Sequence, residues 1–344
     1  MREYHVAIAG ATGAVGTEFL QLLEQREFPL ASLRLLASER SVGKKIRFNG
    51  VDLPVELLTA DAFKGIDIAF FSAGGGRSKE FGPAAAKAGA LVIDNSSAFR
   101  MDPEVPLVVP EINPEDIRWN KGIIANPNCS TIIMLMAVAP LYRLSKIKRI
   151  VVSTYQAASG AGAKAMKELE DQSRQFVNGE PVTREIFPHQ IAFNLFSHNT
   201  NIDADGYNEE ERKMIKETHK ILHDEEIGVT ATCVRVPILR AHSESINVEF
   251  AGERPTIEAM REALTSFPNV RLVDDREANH FPMPLEATGK DDTLVGRLRY
   301  DLSNPKAVDL FCCGDQILKG AALNGFQIAQ EWINQQSFEG DLNG

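Results

Sequence analysis

One cysteine in this chain sits where its residue type and neighbours suit nucleophilic chemistry. Ile124-Ala125-Asn126-Pro127-Asn128-Cys129-Ser130-Thr131 is followed by the apolar run Ile132-Ile133-Met134-Leu135-Met136. Pro127 bars a regular strand or helix through its own position. Asn128, Ser130 and Thr131 are turn and cap residues, so the apolar run reads as a buried helix with Cys129 at its N-terminus. There the partial positive charge of the helix favours a thiolate, and its N–H groups can hold an oxyanion. The competing reading of Cys129 is a small buried hydrophobe. Glu210 and Lys213, at i and i+3 on a later helix, share one side of it. Such a pair is by default a surface ion pair. Arg100 lies on a loop after a strand, as an anion ligand or as a surface arginine. His242 follows Arg235 by seven residues, a spacing that a buried, hydrogen-bonded histidine also satisfies.

These groups need a scaffold. Tyr4–Ala9 is a short β-rich run. It leads through Gly10-Ala11-Thr12-Gly13-Ala14-Val15-Gly16 into an amphipathic helix from Thr17 to Leu23. Strand, glycine turn and helix in that order are the context of a dinucleotide fingerprint. The glycines let the backbone approach a pyrophosphate at the helix N-terminus. A second strand, Leu33–Ala37, runs into Ser38-Glu39-Arg40-Ser41-Val42-Gly43-Lys44. Glu39 suits ribose hydroxyls, but Arg40, Ser41 and Lys44 together suit a 2′-phosphate better, which favours NADP. Further strands are expected at Ile66–Phe71 and Ala90–Asp94, with a short helix over Pro83–Ala90 between them. This alternation makes an α/β doubly wound parallel sheet.

Beyond Cys129 the pattern becomes β-rich. Strands are expected at Ile147–Tyr155, Val229–Val236, Ser245–Phe250, Val270–Val273, Leu294–Tyr300 and Ala307–Cys313. Helices are expected from Lys164 to Phe176, from Asn208 to about His223 with a capping box to Glu211, and from Pro255 to Ser266. Arg240-Ala241-His242-Ser243 reads as the link before a strand. A last helix, Gln316–Gln335, is rich in small residues and suited to return to the first sheet.

The chain has 344 residues, enough for two domains with real cores, and a net charge of −10. That charge and a pI near 5.3 argue against nucleic acid as the main partner. The four cysteines, Cys129, Cys233, Cys312 and Cys313, form no C-x-x-C pair, so a zinc site is not indicated. They fit a reducing compartment. The N-terminus lacks the shape of a signal peptide and no apolar run is long enough to span a membrane, so the cytoplasm is the expected location.

Five motifs in order carry a specific likeness. They are the Gly10–Gly16 turn, Asn126-Pro127-Asn128-Cys129-Ser130-Thr131, and Gln156-Ala157-Ala158-Ser159-Gly160-Ala161-Gly162. The last two are Arg235 with His242, and Gly314-Asp315-Gln316 opening the last helix. Together, over about residues 5–335, they resemble the aspartate-semialdehyde dehydrogenase family. The resemblance implies a Rossmann-like NADP-binding domain (1–128 plus 315–344) and an α+β catalytic and dimerisation domain (129–314), in a homodimer. It implies NADP-linked reductive dephosphorylation of β-aspartyl phosphate, in the biosynthesis of lysine (through diaminopimelate), methionine and threonine. Cys129 would be the nucleophile and form a thioester, His242 the acid/base, and Gln156 the residue that positions the acyl group. Arg235 would grip the α-carboxylate, Glu210 the α-amino group, and Lys213 with Arg100 the phosphate. Thr12, Gly13, Ala14, Val15, Arg40, Ser41, Ser159, Gly160 and Gln316 would line the NADP site.

Other assignments are open to the same residues. N-acetyl-glutamyl-phosphate reductases and glyceraldehyde-phosphate dehydrogenases share the thioester logic, but their cysteine motifs differ from Asn126-Pro127-Asn128-Cys129. A short-chain dehydrogenase would use Tyr142-Arg143-Leu144-Ser145-Lys146 as its Y-x-x-x-K pair, with Ser130 twelve residues upstream. That reading leaves Cys129, Gln156 and the second domain without a task. A nucleotide-sensing module without catalysis is disfavoured by the presence of both Cys129 and His242.

Overall fold

A computed structural model describes residues 2–342, which form two compact units, 2–127 with 321–342, and Asn128–Gly320. The first unit is built around central strands that are largely apolar without alternation. Ile68–Phe71 and Leu91–Asp94 are buried at every position, as a parallel sheet covered on both faces requires. Its strands are β1 (Tyr4–Ala9), β2 (Leu30–Ala37), β3 (Lys45–Phe48), β4 (Val51–Leu57), β5 (Ile68–Phe71), β6 (Leu91–Asp94) and β7 (Ile123–Ala125). They lie in the order β3-β4-β2-β1-β5-β6-β7, parallel except for the edge hairpin of β3 and β4. The order reverses between β1 and β5, which is where a doubly wound sheet opens a crevice for ligands. Helix α1 (Ala14–Gln25) follows β1, and α2 (Gly75–Lys87) follows β5.

The start of α2 corrects the sequence expectation. The helix begins at the glycine run and contains Pro83, which costs it a backbone hydrogen bond. Tertiary contacts compensate. The Ser78 hydroxyl donates to Asp94 Oδ1 at 2.7 Å, and a Cβ on Gly82 would meet the Phe99 ring at 3.2 Å.

In the second unit, strands β8 (Ile147–Gln156), β9 (Phe196–Ser197), β10 (Gly228–Arg235), β11 (Ala241–Phe250), β12 (Val270–Leu272), β13 (Thr293–Tyr300) and β14 (Ala307–Asp315) make a mixed sheet. Its order is β12-β13-β14-β11-β8-β10-β9. Helices α3 (Cys129–Leu144), α5 (Glu209–Leu222) and α6 (Ile257–Ser266) pack on it, with α4 (Ala163–Val177) and the short α7 (Pro284–Ala287) completing the unit. β11 takes in Ala241-His242-Ser243, so His242 belongs to a strand and not to the link before it.

The end of the chain belongs to the first unit. Asp315 Oδ1 accepts from the N–H groups of Ile317 and Leu318, and a π-turn (Leu318–Ala322) precedes α8 (Leu323–Leu342). Within the first unit Phe326 packs on Phe28 with ring centroids 5.4 Å apart, and Trp332 meets Tyr4 edge-on at 6.1 Å. Asn324 Nδ2 donates to Asn126 Oδ1 at 2.6 Å and to the Val108 carbonyl at 2.9 Å. Helix α8 thereby supports the segment that runs up to Pro127.

Candidate active site

Cys129 is the first residue of α3, as Pro127 and the cap residues require. Asn128 Oδ1 accepts from the N–H groups of Ser130 and Thr131 at 3.0 and 3.2 Å. Two buried glutamates of α5 fix the same asparagine. Its Nδ2 donates to Glu210 Oε1 at 2.8 Å, and its backbone N–H donates to Glu217 Oε2 at 2.6 Å. The π-turn passes close behind Cys129, since a Cβ on Gly320 would lie 3.1 Å from Cys129 Cβ.

Strand register gathers the other groups. Arg235 of β10 is level with Gln156 of β8, and His242 of β11 is level with Gly314 of β14. β11 pairs Ser243 with Tyr155, so the next pair along is His242 with Gln156. Residues 79 and 86 positions apart in the chain (156 from 235 and from 242) thus stand in one row across adjacent strands.

His242 Nε2 lies 3.4 Å from Cys129 Sγ. Its Nδ1 accepts the N–H of Ala157 at 3.0 Å. A backbone N–H can only donate, so the neutral ring carries its proton on Nε2 and points it at the sulfur. Burial, then the charge of Arg235, lower the His242 pKa to about 3. The ring is therefore neutral near pH 7.

Arg235 is buried, donates from Nη1 to the Ala157 carbonyl at 2.8 Å, and leaves Nε without a partner. Gly160 approaches both the guanidinium and the imidazole, for a Cβ there would sit 2.9 Å from Arg235 Nη1 and 3.5 Å from His242. Glu210 is 4 % exposed and pairs with Lys213 at 3.1 Å, so this is not a surface pair. Glu210 Oε1 also accepts from Gln156 Nε2 at 3.1 Å. Burial opposes its charge, but the Lys213 ammonium and the donated hydrogen bonds prevail and bring its pKa to about 2.

In the first unit, Gly10 has φ +93°, and a Cβ there would lie 2.4 Å from the Ser72 carbonyl oxygen. Gly16 is equally crowded, 2.2 Å from the Gly10 oxygen. Gly13 is different: exposed at the N-terminus of α1, it meets nothing closer than 3.4 Å. Thr12 Oγ1 is 3.3 Å from Ser41 Oγ, which joins the glycine turn to the loop carrying Arg40. Arg40 is exposed, and Ala14 and Val15 are half-buried. Arg100 is buried, with Nε on the Asn126 carbonyl at 2.9 Å and Nη2 on the Asn95 carbonyl at 3.1 Å, which rules out a surface arginine. In the second unit, Ser159 Oγ donates to the Arg240 carbonyl at 2.9 Å, while the buried Gln316 leaves Oε1 unpartnered.

Two residues were not singled out from sequence. Glu217 stands seven residues after Glu210 on the buried stripe of α5 that holds Met214, Thr218 and Ile221. A charged residue on an apolar stripe was the available signal. His198 had none, because it lies in a polar loop-like stretch.

The Tyr142–Lys146 pair is not a catalytic dyad. The Tyr142 hydroxyl donates to Asp224 at 2.7 Å, and burial together with that carboxylate raises its pKa, the reverse of what an acid catalyst needs.

A chain that carries a doubly wound nucleotide fold and a second unit with a cysteine–histidine pair defines a class: dehydrogenases that use a nicotinamide cofactor. The family model for the semialdehyde dehydrogenase NAD binding domain matches residues 5–120, and that for the semialdehyde dehydrogenase dimerisation domain matches 138–319. The aspartate-semialdehyde dehydrogenase of Synechocystis sp. is 58% identical over 94% of this chain and 96% of its own length. That of Prochlorococcus marinus is 54% identical over 96% of each. The crystal structure of aspartate semialdehyde dehydrogenase II from Vibrio cholerae complexed with ASA has 44% identity and a TM-score of 0.94, covering 97% of this chain and 99% of that one. The chain belongs to the aspartate-semialdehyde dehydrogenase family.

Proposed function

We propose that this chain converts β-aspartyl phosphate to aspartate semialdehyde and phosphate, with NADPH as reductant and a thioester on Cys129. The observation that carries this reading is the Cys129–His242 pair at the N-terminus of α3, with the buried Arg235 in the same unit.

Cys129 Sγ attacks the acyl carbon, the C–S bond forms, and the C–O bond to phosphate breaks. The departing phosphate takes up the one proton that the net reaction consumes. His242 donates its Nε2–H to sulfur, which favours the thiolate before attack and again when the thiolate leaves. The opposite role, a base at Nε2, needs the proton on Nδ1, where it would face the Ala157 N–H. The nicotinamide, when bound, supplies hydride to the thioester carbon. Gln156 and Asn128, both tied to Glu210, orient the acyl oxygen. Arg235 holds the α-carboxylate, Glu210 the α-amino group, and Lys213 and Arg100 the phosphate.

The residues fit the cofactor. Gly13 is a glycine that protein packing does not require, and Gln316 offers an unpartnered amide oxygen to a carboxamide N–H. Thr12, Gly13, Ala14 and Val15 face the pyrophosphate, Arg40 and Ser41 the 2′-phosphate, and Ser159, Gly160 and Gln316 complete the site. Preference for NADP over NAD rests on Arg40 and Ser41. A homodimer is supported by the dimerisation-domain match, and by Tyr155, Thr232 and Ser245 standing exposed on central strands of the second sheet. Among the described residues no helix is long and apolar enough to cross a membrane. The four free thiols support a cytoplasmic location.

The test is phosphate-dependent reduction of NADP by aspartate semialdehyde. Lys213→Ala should raise the KM for phosphate and leave that for semialdehyde much less changed. Absence of activity in the wild-type protein would overturn the reading.

A further inference from the structure

His198 is a buried group in the second unit with two side-chain partners and no part in the reaction above. It follows β9, and its N–H donates to the Cys233 carbonyl at 2.9 Å. Its Nε2 lies 2.7 Å from Arg235 Nη2, and its Nδ1 lies 3.3 Å from Thr200 Oγ1. A guanidinium carries five N–H donors, has no acceptor, and does not lose its proton. His198 Nε2 must therefore accept, and the ring proton sits on Nδ1, toward Thr200. This is the opposite tautomer to that of His242.

The consequence falls on Arg235. Nη1 is held by the Ala157 carbonyl and Nη2 by the imidazole, while the Phe187 ring lies 5.7 Å from Cζ. Two acceptors and a ring fix the guanidinium, yet neither acceptor is charged. A carboxylate in the place of His198 would hold the arginine as firmly but would neutralise it and occupy its fork. The neutral ring leaves the charge available, and the buried Nε has no partner. The groups that act on His198 are Glu210, Arg235 and Lys213. Burial first, then the two cations, outweigh Glu210 and hold the imidazole neutral, with its pKa lowered to about 4.

We propose that His198 is a positioning residue for substrate recognition: as a neutral acceptor it aims Arg235 while leaving that arginine's charge for the substrate α-carboxylate. This rests on reading Arg235 as the carboxylate ligand.

The experiment is steady-state kinetics of the reverse reaction on the full chain, varying aspartate semialdehyde and phosphate separately, with the melting temperature of each variant as a fold control. His198→Leu removes the acceptor. It should raise the semialdehyde KM about tenfold, with the phosphate KM within about twofold and kcat less affected. His198→Gln places an amide oxygen near the Nε2 position and should restore most of the loss. His198→Glu supplies the competing charge and should raise the semialdehyde KM at least as far as leucine does. The proposal is overturned if both KM values rise alike, or if a well-folded His198→Gln is no better than His198→Glu. That comparison decides even where the leucine variant does not fold. Arg235→Lys separates the two readings. If it leaves the semialdehyde KM unchanged, the role of Arg235 itself is wrong. If it raises that KM while His198→Leu does not, only the role of His198 is wrong. In the double variant the two effects should combine to less than their product; full multiplication would show that His198 acts without Arg235.

Discussion

The two units prepare for their ligands in different ways. In the first, Thr12, Gly13 and Arg40 are exposed, and the turn works through backbone geometry. In the second, Asn128, Gln156, Glu210, Arg235 and His242 are all buried and linked by hydrogen bonds. A cofactor with phosphates can be held by N–H groups at a helix end, which keep partners in water until it arrives. Chemistry at one carbon needs side chains fixed to a fraction of an ångström, and burial with mutual hydrogen bonds achieves that. Substitutions in the second unit should therefore be costly and coupled, and those in the first modest and confined to the cofactor.

The sharpest break is at Cys129, the proposed nucleophile. Cys129→Ser should lower kcat by at least about a thousandfold, since a hydroxyl is a far poorer nucleophile than a thiolate. Cofactor affinity, measured by fluorescence titration, should barely change. A loss of cofactor binding as large as the loss of kcat would erase the contrast between the units.

Acid should strike the second unit first. The folded-state pKa values of His198 and His242 are lowered from 6.5 to about 4 and about 3. A group held below its unfolded value contributes stability that is present above pH 6.5 and is lost as pH falls toward the folded value. Unfolding free energy should therefore drop between pH 6.5 and 4, by about 3 kcal/mol for a shift the size of that of His198. The only histidine of the first unit, His5, is exposed. Hydrogen exchange at pH 5 should show protection lost in the second unit before the first. A flat stability profile between pH 7 and 4, or His198→Gln leaving the slope unchanged, would contradict this.

Glu217→Leu leaves the buried N–H of Asn128 without its acceptor. It should cost about 1–3 kcal/mol of stability and lower kcat as well, because that N–H adjoins Cys129. Denaturant titration and turnover check both halves. Glu217→Gln keeps an acceptor and should lose less.

Gly160→Ala tests a close approach that needs no charge. The added methyl meets Arg235 Nη1 at 2.9 Å, so the semialdehyde KM should rise about fivefold to tenfold with the fold intact. An unchanged KM would mean that Arg235 can shift without consequence. The smallest effect belongs to the exposed unit. Arg40→Ala should weaken NADP by about 1 kcal/mol and NAD hardly at all, read by competition titration. Equal weakening of both would remove Arg40 from the 2′-phosphate.

What the sequence determined by itself was local. The glycine turn between β1 and α1, the proline stop and asparagine cap before Cys129, and the capping box of Asn208 with Glu211 all act within a few residues, and the structure contains each of them. Motif order was enough to reveal the family. The tertiary structure decided everything that depends on register between distant segments. It placed His242 inside β11 and level with Gln156, turned the Glu210–Lys213 pair inward, and buried Arg100 against two carbonyls. It started α2 at a glycine run that local propensity disfavours, because Ser78 and Gly82 find partners on other segments. It also brought Glu217 to the Asn128 N–H and His198 to the Arg235 guanidinium. A side chain's partner across a sheet is set by strand pairing, and the proton position on a histidine by which backbone group faces it. Neither is written in the spacing of residues along the chain.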